Sequence, residues 1–205
     1  MKAEKIAIYD VNRSIPVRPH HLERLLQIAP GCEIVLTDSP ETLADRGAEA
    51  DALFLWPTMS PGLIDYIRRN ASLRWLHLFT TGIDSLTESE AGRIPGYRLS
   101  STKGIHGYPI SDHILALIYA FLRQLPGSSR AQREHRWAYG SLSVNCREIA
   151  GHTAGIVGVG NIGLETARKC KLLGMKVLGA KRNPIVSEWL DACYPISQLD
   201  ELLKL

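Results

Sequence analysis

Along the first half of the chain, apolar residues fall in short runs separated by amphipathic stretches. The runs Lys5–Asp10, Glu33–Asp38, Asp51–Trp56, Leu73–Phe79 and Tyr97–Thr102 read as strands, and His20–Ala29, Glu41–Ala48 and Ser60–Asn70 read as helices. Runs rather than strict alternation mark strands covered on both faces, and the alternation of strand with helix implies a parallel sheet with right-handed crossovers. Residues 1–105 are therefore expected to form a smaller α/β domain with a flavodoxin-like sheet. Pro109 to Arg123 is almost continuously apolar. It reads as a helix that Pro109 opens and Pro126-Gly127 closes, and it should be buried between domains or against a second subunit. Residues 126–150 read as a polar, irregular arm, and no internal repeat is present.

The most specific pattern comes next. Ile156 and Val157 supply a short apolar strand, and Gly158, Gly160 and Gly163 follow with the spacing G-x-G-x-x-G. In that spacing the first glycine permits a tight turn, the second lets a pyrophosphate approach the backbone, and the third lets a helix pack close to the sheet. The anion then lies against free N–H groups at the positive end of the helix. Ile162 to Leu173 reads as that helix, with Gly163, Ala167 and Cys170 on a small-residue face, Gly174 as its left-handed terminator, and Met175–Ala180 as the next strand. Residues 106–205 are thus expected to hold the first half of a Rossmann, doubly wound dinucleotide-binding domain. Gly158, Gly160, Asn161, Ile162 and Gly163 are the candidate cofactor-binding residues. The alternative is an ordinary glycine-rich turn.

An acidic residue near the end of the second strand would bind the adenosine ribose of NAD. Here the segment is Ala180-Lys181-Arg182-Asn183-Pro184, with no carboxylate before Glu188. Lys181 and Arg182 suit a 2′-phosphate, so NADP(H) is favoured over NAD(H). Alternatively, both side chains are simply solvated.

Composition narrows the classes. In 205 residues, 45% of them hydrophobic, a sizeable core can form. The net charge is +3, with 12 basic and 13 acidic residues up to position 105 and 12 against 8 beyond it. That balance suits a phosphate-bearing cofactor in the second part and does not by itself suggest nucleic acid, so no nucleic-acid partner is expected; Arg130, Arg133 and Arg136 read as a solvated or interface face. Cys32, Cys146, Cys170 and Cys193 have no metal-site spacing, so no metal is expected, and scattered thiols suit a reducing compartment. The chain enters its first strand almost at once, without a signal peptide, and the apolar run Ile114–Leu122 is too short to span a bilayer. A cytoplasmic protein with no membrane partner is expected.

Four stretches together resemble the D-isomer-specific 2-hydroxyacid dehydrogenases, the family of glyoxylate/hydroxypyruvate reductases and phosphoglycerate dehydrogenases. They are Leu76–Asp84 with its Thr81-Gly82-Ile83-Asp84 loop, Ser101–Arg123 with Ser111-Asp112-His113, Arg133-x-x-x-Trp137, and Ile149–Gly163. The resemblance implies hydride transfer between NAD(P)H and a small 2-oxo acid, and the apolar helix from Pro109 to Arg123 suggests a homodimer. It implies a substrate carboxylate held by the backbone N–H groups of Thr81, Gly82 and Ile83, although Gly82 also suits a plain turn and Asp84 suits a helix cap.

The family's catalytic Arg, Glu and His would lie beyond residue 205. No catalytic residue is therefore assigned, and His20, His21, His77, His106 and His113 read as structural, with a cleft-facing His106 that touches substrate as the alternative. On this reading the chain is a C-terminally shortened dehydrogenase, inactive alone, with exposed sheet edges. The alternative is a non-catalytic nucleotide-binding or interaction protein derived from the family. No motif fixes which 2-oxo acid is used.

Overall fold

The computed structural model describes residues 3–204. The chain divides into two compact units, Met1–Lys103 and Gly104–Leu205. Unit 1 runs β1 (Lys5–Tyr9), α1 (Pro19–Ile28), β2 (Glu33–Thr37), α2 (Pro40–Arg46), β3 (Ala52–Leu55), α3 (Pro61–Arg69), β4 (Trp75–Leu78), α4 (Asp84–Thr87), a 3-10 turn (Glu90–Arg93) and β5 (Arg98–Ser101). Its five strands are parallel, in the flavodoxin-like order β2-β1-β3-β4-β5.

Strand pleating explains which side chains make the core. Ala7, Tyr9, Leu53, Leu55, Leu76 and Leu78 point to one face and pack with Leu43, Leu63, Ile67 and Leu86 of the covering helices. Ile6, Ile8 and Ala52 point the other way, against Val17, Leu22 and Leu25 and the aromatic side chains Phe54, Trp75 and Phe79. Two helices start by the same device: Ser39 and Ser60 accept the N–H of Thr42 and Leu63, and Pro40 and Pro61 follow directly. Proline is tolerated there because a first-turn N–H has no partner within the helix. At α1, His21 Nδ1 accepts the N–H of Arg18, so this histidine is part of a cap.

Unit 2 runs α5 (Gly107–Leu122), α6 (Leu125–Arg133), α7 (Tyr139–Ser143), β6 (Thr153–Val157), α8 (Asn161–Leu172), β7 (Lys176–Lys181), β8 (Ala192–Pro195), a 3-10 turn (Ile196–Gln198) and α9 (Leu199–Leu202). Its parallel sheet has the order β6-β7-β8. Helix α8 buries Gly163, Thr166, Ala167 and Cys170, the small face expected from sequence with Thr166 added. Gly174 follows it at φ +79°, ending the helix in the left-handed region.

One expectation for this unit needs correction. Residues 126–150 are not an irregular arm, because they contain α6 and α7. The chain breaks earlier, at Gln124 in the left-handed region (φ +54°), and Pro126 sits in the first turn of α6, where its missing N–H costs nothing. Within its own unit, helix α5 leaves part of its apolar surface uncovered. It packs on α8, with Lys169 of α8 donating to Asp112 and to the Tyr108 carbonyl, while Leu117 and Phe121 remain 58% and 76% exposed. Among the described residues no helix is long and apolar enough to cross a membrane, and no cluster of side chains suits a metal ion.

Asp51 ties three segments of unit 1 together. It is buried, and its carboxylate accepts the N–H groups of Glu4 and Lys5 and the guanidinium of Arg74. Burial pushes its pKa up, but these donors outweigh burial and hold it below the usual range. A depressed folded-state pKa contributes stability above the unfolded value, and that contribution is lost as pH falls through the folded value. Asp51→Asn is expected to cost about 2 kcal/mol at neutral pH, and the variant should lose less stability than the parent on acidification. Urea unfolding at neutral and acidic pH measures both effects.

Candidate functional site

The turn between β6 and α8 is built by its glycines. Gly158 has φ +98°, and its N–H donates to the carbonyl of Ala180 on β7 (2.8 Å), which fixes the end of β6 against its neighbour. A Cβ on Gly163 would lie 2.2 Å from the Gly158 carbonyl oxygen, so the start of α8 touches the turn and only glycine fits. Gly160 occupies the position before α8 in extended conformation, and a Cβ there would meet nothing within 4 Å. The three glycines therefore divide the work: one turns, one packs, and one leaves open space over the helix start.

That open space is bordered by donors. Among the described residues the N–H groups of Val159 and Gly160 find no backbone acceptor, and those of Asn161, Ile162 and Gly163 belong to the first turn of α8, with no partner inside the helix. Converging N–H groups at the positive end of a twelve-residue helix suit an anion, and the uncrowded surface over Gly160 gives it room. A dinucleotide pyrophosphate fits this cradle. Lys181 is the last residue of β7 and Arg182 follows it. Because Val157 pairs with Ala180, both cations begin beside the glycine turn, and among the described residues neither forms an ion pair.

In unit 1, Thr81, Gly82 and Ile83 lie between β4 and α4. Their N–H groups donate to no acceptor among the described residues. Two threonines hold the loop: Thr80 Oγ1 donates to the Gly82 carbonyl (2.8 Å), and Thr81 Oγ1 to that of Thr102 (3.3 Å). The hydroxyl of Thr102 is itself buried without a partner. Neither Thr80 nor Thr102 was expected from sequence. The Thr80-Thr81-Gly82 triplet was a usable signal for the first, whereas Thr102 is distant in the chain and carried none. Asp84 is not a cap: Ile83 holds the N-cap position, and Asp84 lies in the first turn, where its charge favours the helix dipole.

The histidines bring no acid–base machinery together. His77 sits in β4, its Nδ1 2.8 Å from Ser100 Oγ, and burial pushes its pKa down so that the neutral ring is favoured. His106 precedes α5 without a side-chain cap bond. Among the described residues no histidine pairs with a carboxylate.

Residues 115–205 match the sequence family described as D-isomer specific 2-hydroxyacid dehydrogenase, NAD binding domain. A glyoxylate reductase from Korarchaeum cryptofilum is 29% identical over 142 residues, which are 68% of this chain and 42% of that protein. The crystal structure of a D-isomer specific 2-hydroxyacid dehydrogenase family protein from Aeromonas salmonicida superposes with a TM-score of 0.81 at 26% identity, covering 98% of this chain and 60% of the other. An NADPH-dependent glyoxylate/hydroxypyruvate reductase from Sinorhizobium meliloti, solved with NADP and sulfate, superposes at 0.75 with 22% identity, covering 98% and 59%. The chain thus spans less than two thirds of the length of these relatives.

The glycine geometry separates two substitutions. Gly163→Ala must displace backbone and is expected to destabilise unit 2 by about 1–3 kcal/mol. Gly160→Ala projects into open space and should leave stability within about 0.5 kcal/mol of the parent. Thermal melts of the two variants check the difference.

Proposed function

We propose that this chain, which belongs to the D-isomer specific 2-hydroxyacid dehydrogenase family, serves in hydride transfer between NADP(H) and a small 2-oxo or 2-hydroxy acid. The observation that carries the reading is the open, donor-lined cradle at Gly160, next to a strand end bearing Lys181 and Arg182. The nicotinamide, when bound, supplies or accepts the hydride.

The chain's own residues bind and orient. The first-turn N–H groups of Asn161, Ile162 and Gly163, with Gly158 and Gly160 leaving the approach clear, hold the pyrophosphate. Lys181 and Arg182 pair with a 2′-phosphate, which a carboxylate at that strand end would repel. Thr81, Gly82 and Ile83 hold the substrate carboxylate through their unengaged N–H groups. No proton donor is assigned to any residue of this chain.

Assembly as a homodimer is supported by the exposed apolar side of α5 and by Trp137 and Tyr139, which stack on one another with Trp137 93% exposed. Four free thiols support a reducing, cytoplasmic setting. The second reading is nucleotide binding without turnover.

Titration of the chain with NADPH and NADH, followed by cofactor fluorescence, tests the proposal. NADPH should bind more tightly, and Arg182→Ala should weaken it about tenfold while leaving NADH unchanged. Gly160→Ala should weaken both. Equal affinities, with Arg182→Ala affecting neither cofactor, would contradict the NADP(H) assignment. Oxidation of bound NADPH on adding glyoxylate would rule out the second reading.

A further inference from the structure

Arg13 is an exposed cation carried on a loop that is held in place by side chains. Asp10 Oδ2 accepts the N–H of Val17 (2.6 Å) and Asp10 Oδ1 that of the Trp56 indole (3.1 Å), while Asn12 Oδ1 accepts those of Ser14 and Ile15 (3.0 and 3.3 Å). These bonds fix both ends of the segment between β1 and α1, and Arg13 lies between them. The carboxylate closest to it in sequence, Asp10, has both oxygens engaged, and among the described residues Arg13 forms no ion pair.

The same loop borders an open cavity of about 600 Å³ at the C-terminal edge of the unit 1 sheet, lined by Val11, Asn12, Arg13, Trp56, Pro57, Thr58 and Thr80. In open parallel sheets this edge is where ligands bind. Thr80, which lines this space together with the uncompensated Arg13 guanidinium, directly precedes the Thr81–Ile83 loop in the chain. Between them lie the apolar surfaces of Val11, Pro57 and Trp56, whose indole N–H is already used by Asp10. Two points for anions, separated by an apolar wall, match a ligand with an anionic group at each end of a short carbon chain.

We infer that Arg13 is a specificity-determining residue that selects 2-oxo acids bearing a second anionic group at the far end of the chain. The inference rests on the reading of Thr81, Gly82 and Ile83 as the carboxylate-binding loop. The 2-oxo carboxylate lies on that loop, the methylenes lie along Trp56, and the second anion meets the guanidinium fork.

The test compares 2-oxoglutarate with 2-oxopentanoate, which carries a methyl group in place of the terminal carboxylate. Each is titrated into the full isotope-labelled chain, with the amide of Gly82 and the indole N–H of Trp56 followed by NMR. Both acids should shift the Gly82 amide, and 2-oxoglutarate should bind about tenfold more tightly, with the preference shrinking at high salt. Arg13→Gln, an exposed substitution, should remove the preference by weakening 2-oxoglutarate alone, and Arg13→Lys should keep part of it. Equal affinities in the parent chain, or an equal loss for both acids in Arg13→Gln, would overturn the role of Arg13 while leaving the loop assignment standing. A Gly82 amide unmoved by either acid would overturn the loop assignment and the selectivity built on it.

Discussion

The site in unit 2 depends on one close contact. At the mouth of the β6–α8 turn the backbone of Gly163 approaches the Gly158 carbonyl so nearly that a Cβ would lie 2.2 Å away. That approach seats the start of α8 against the end of β6 and aims its first N–H groups over Gly160. The buried face of α8, with Thr166, Ala167 and Cys170, extends the same contact along the helix. Small side chains let helix and sheet lie close, and close packing gives the proposed anion site a geometry that a looser turn would leave undefined. Stability and the proposed ligand recognition thus share one constraint.

Unit 1 solves a different problem with similar parts. Its sheet has one face filled by aliphatic side chains and another that is partly aromatic, with Phe54, Trp75, His77 and Phe79 in edge-on contact. Asp51 and Asp10 are the polar anchors. Asp51 fixes the N-terminal edge of the sheet by binding Glu4, Lys5 and Arg74, and Asp10 fixes the opposite edge by binding Val17 and Trp56. Each carboxylate gathers donors from segments distant in sequence, which is how a few polar groups hold loops that have little apolar surface to bury.

Much of this was legible in the sequence, for identifiable reasons. Strands β1 to β5 announced themselves as apolar runs, whereas the caps at Ser39 and Ser60 emerge from their bonds to Thr42 and Leu63. The glycine turn was legible because its geometry is a backbone property that only glycine supplies. The segment from Leu125 to Ser143 was not. Its helices are short and polar, and Pro126-Gly127 reads as a terminator when it is in fact a start, the break having occurred at Gln124. The cavity beside Arg13 was also invisible, because Asp10 and Asn12 shape its loop through bonds to Trp56, Val17, Ser14 and Ile15 that no spacing rule encodes.

On the proposed function, the start of α8 holds the phosphates of a nicotinamide dinucleotide. Amide hydrogen exchange of the full chain, with and without NADPH, tests it most directly. The expected result is slowed exchange confined to Val159–Gly163 and the Lys181–Arg182 strand end. Unchanged exchange there, or protection appearing only in unit 1, would contradict the account.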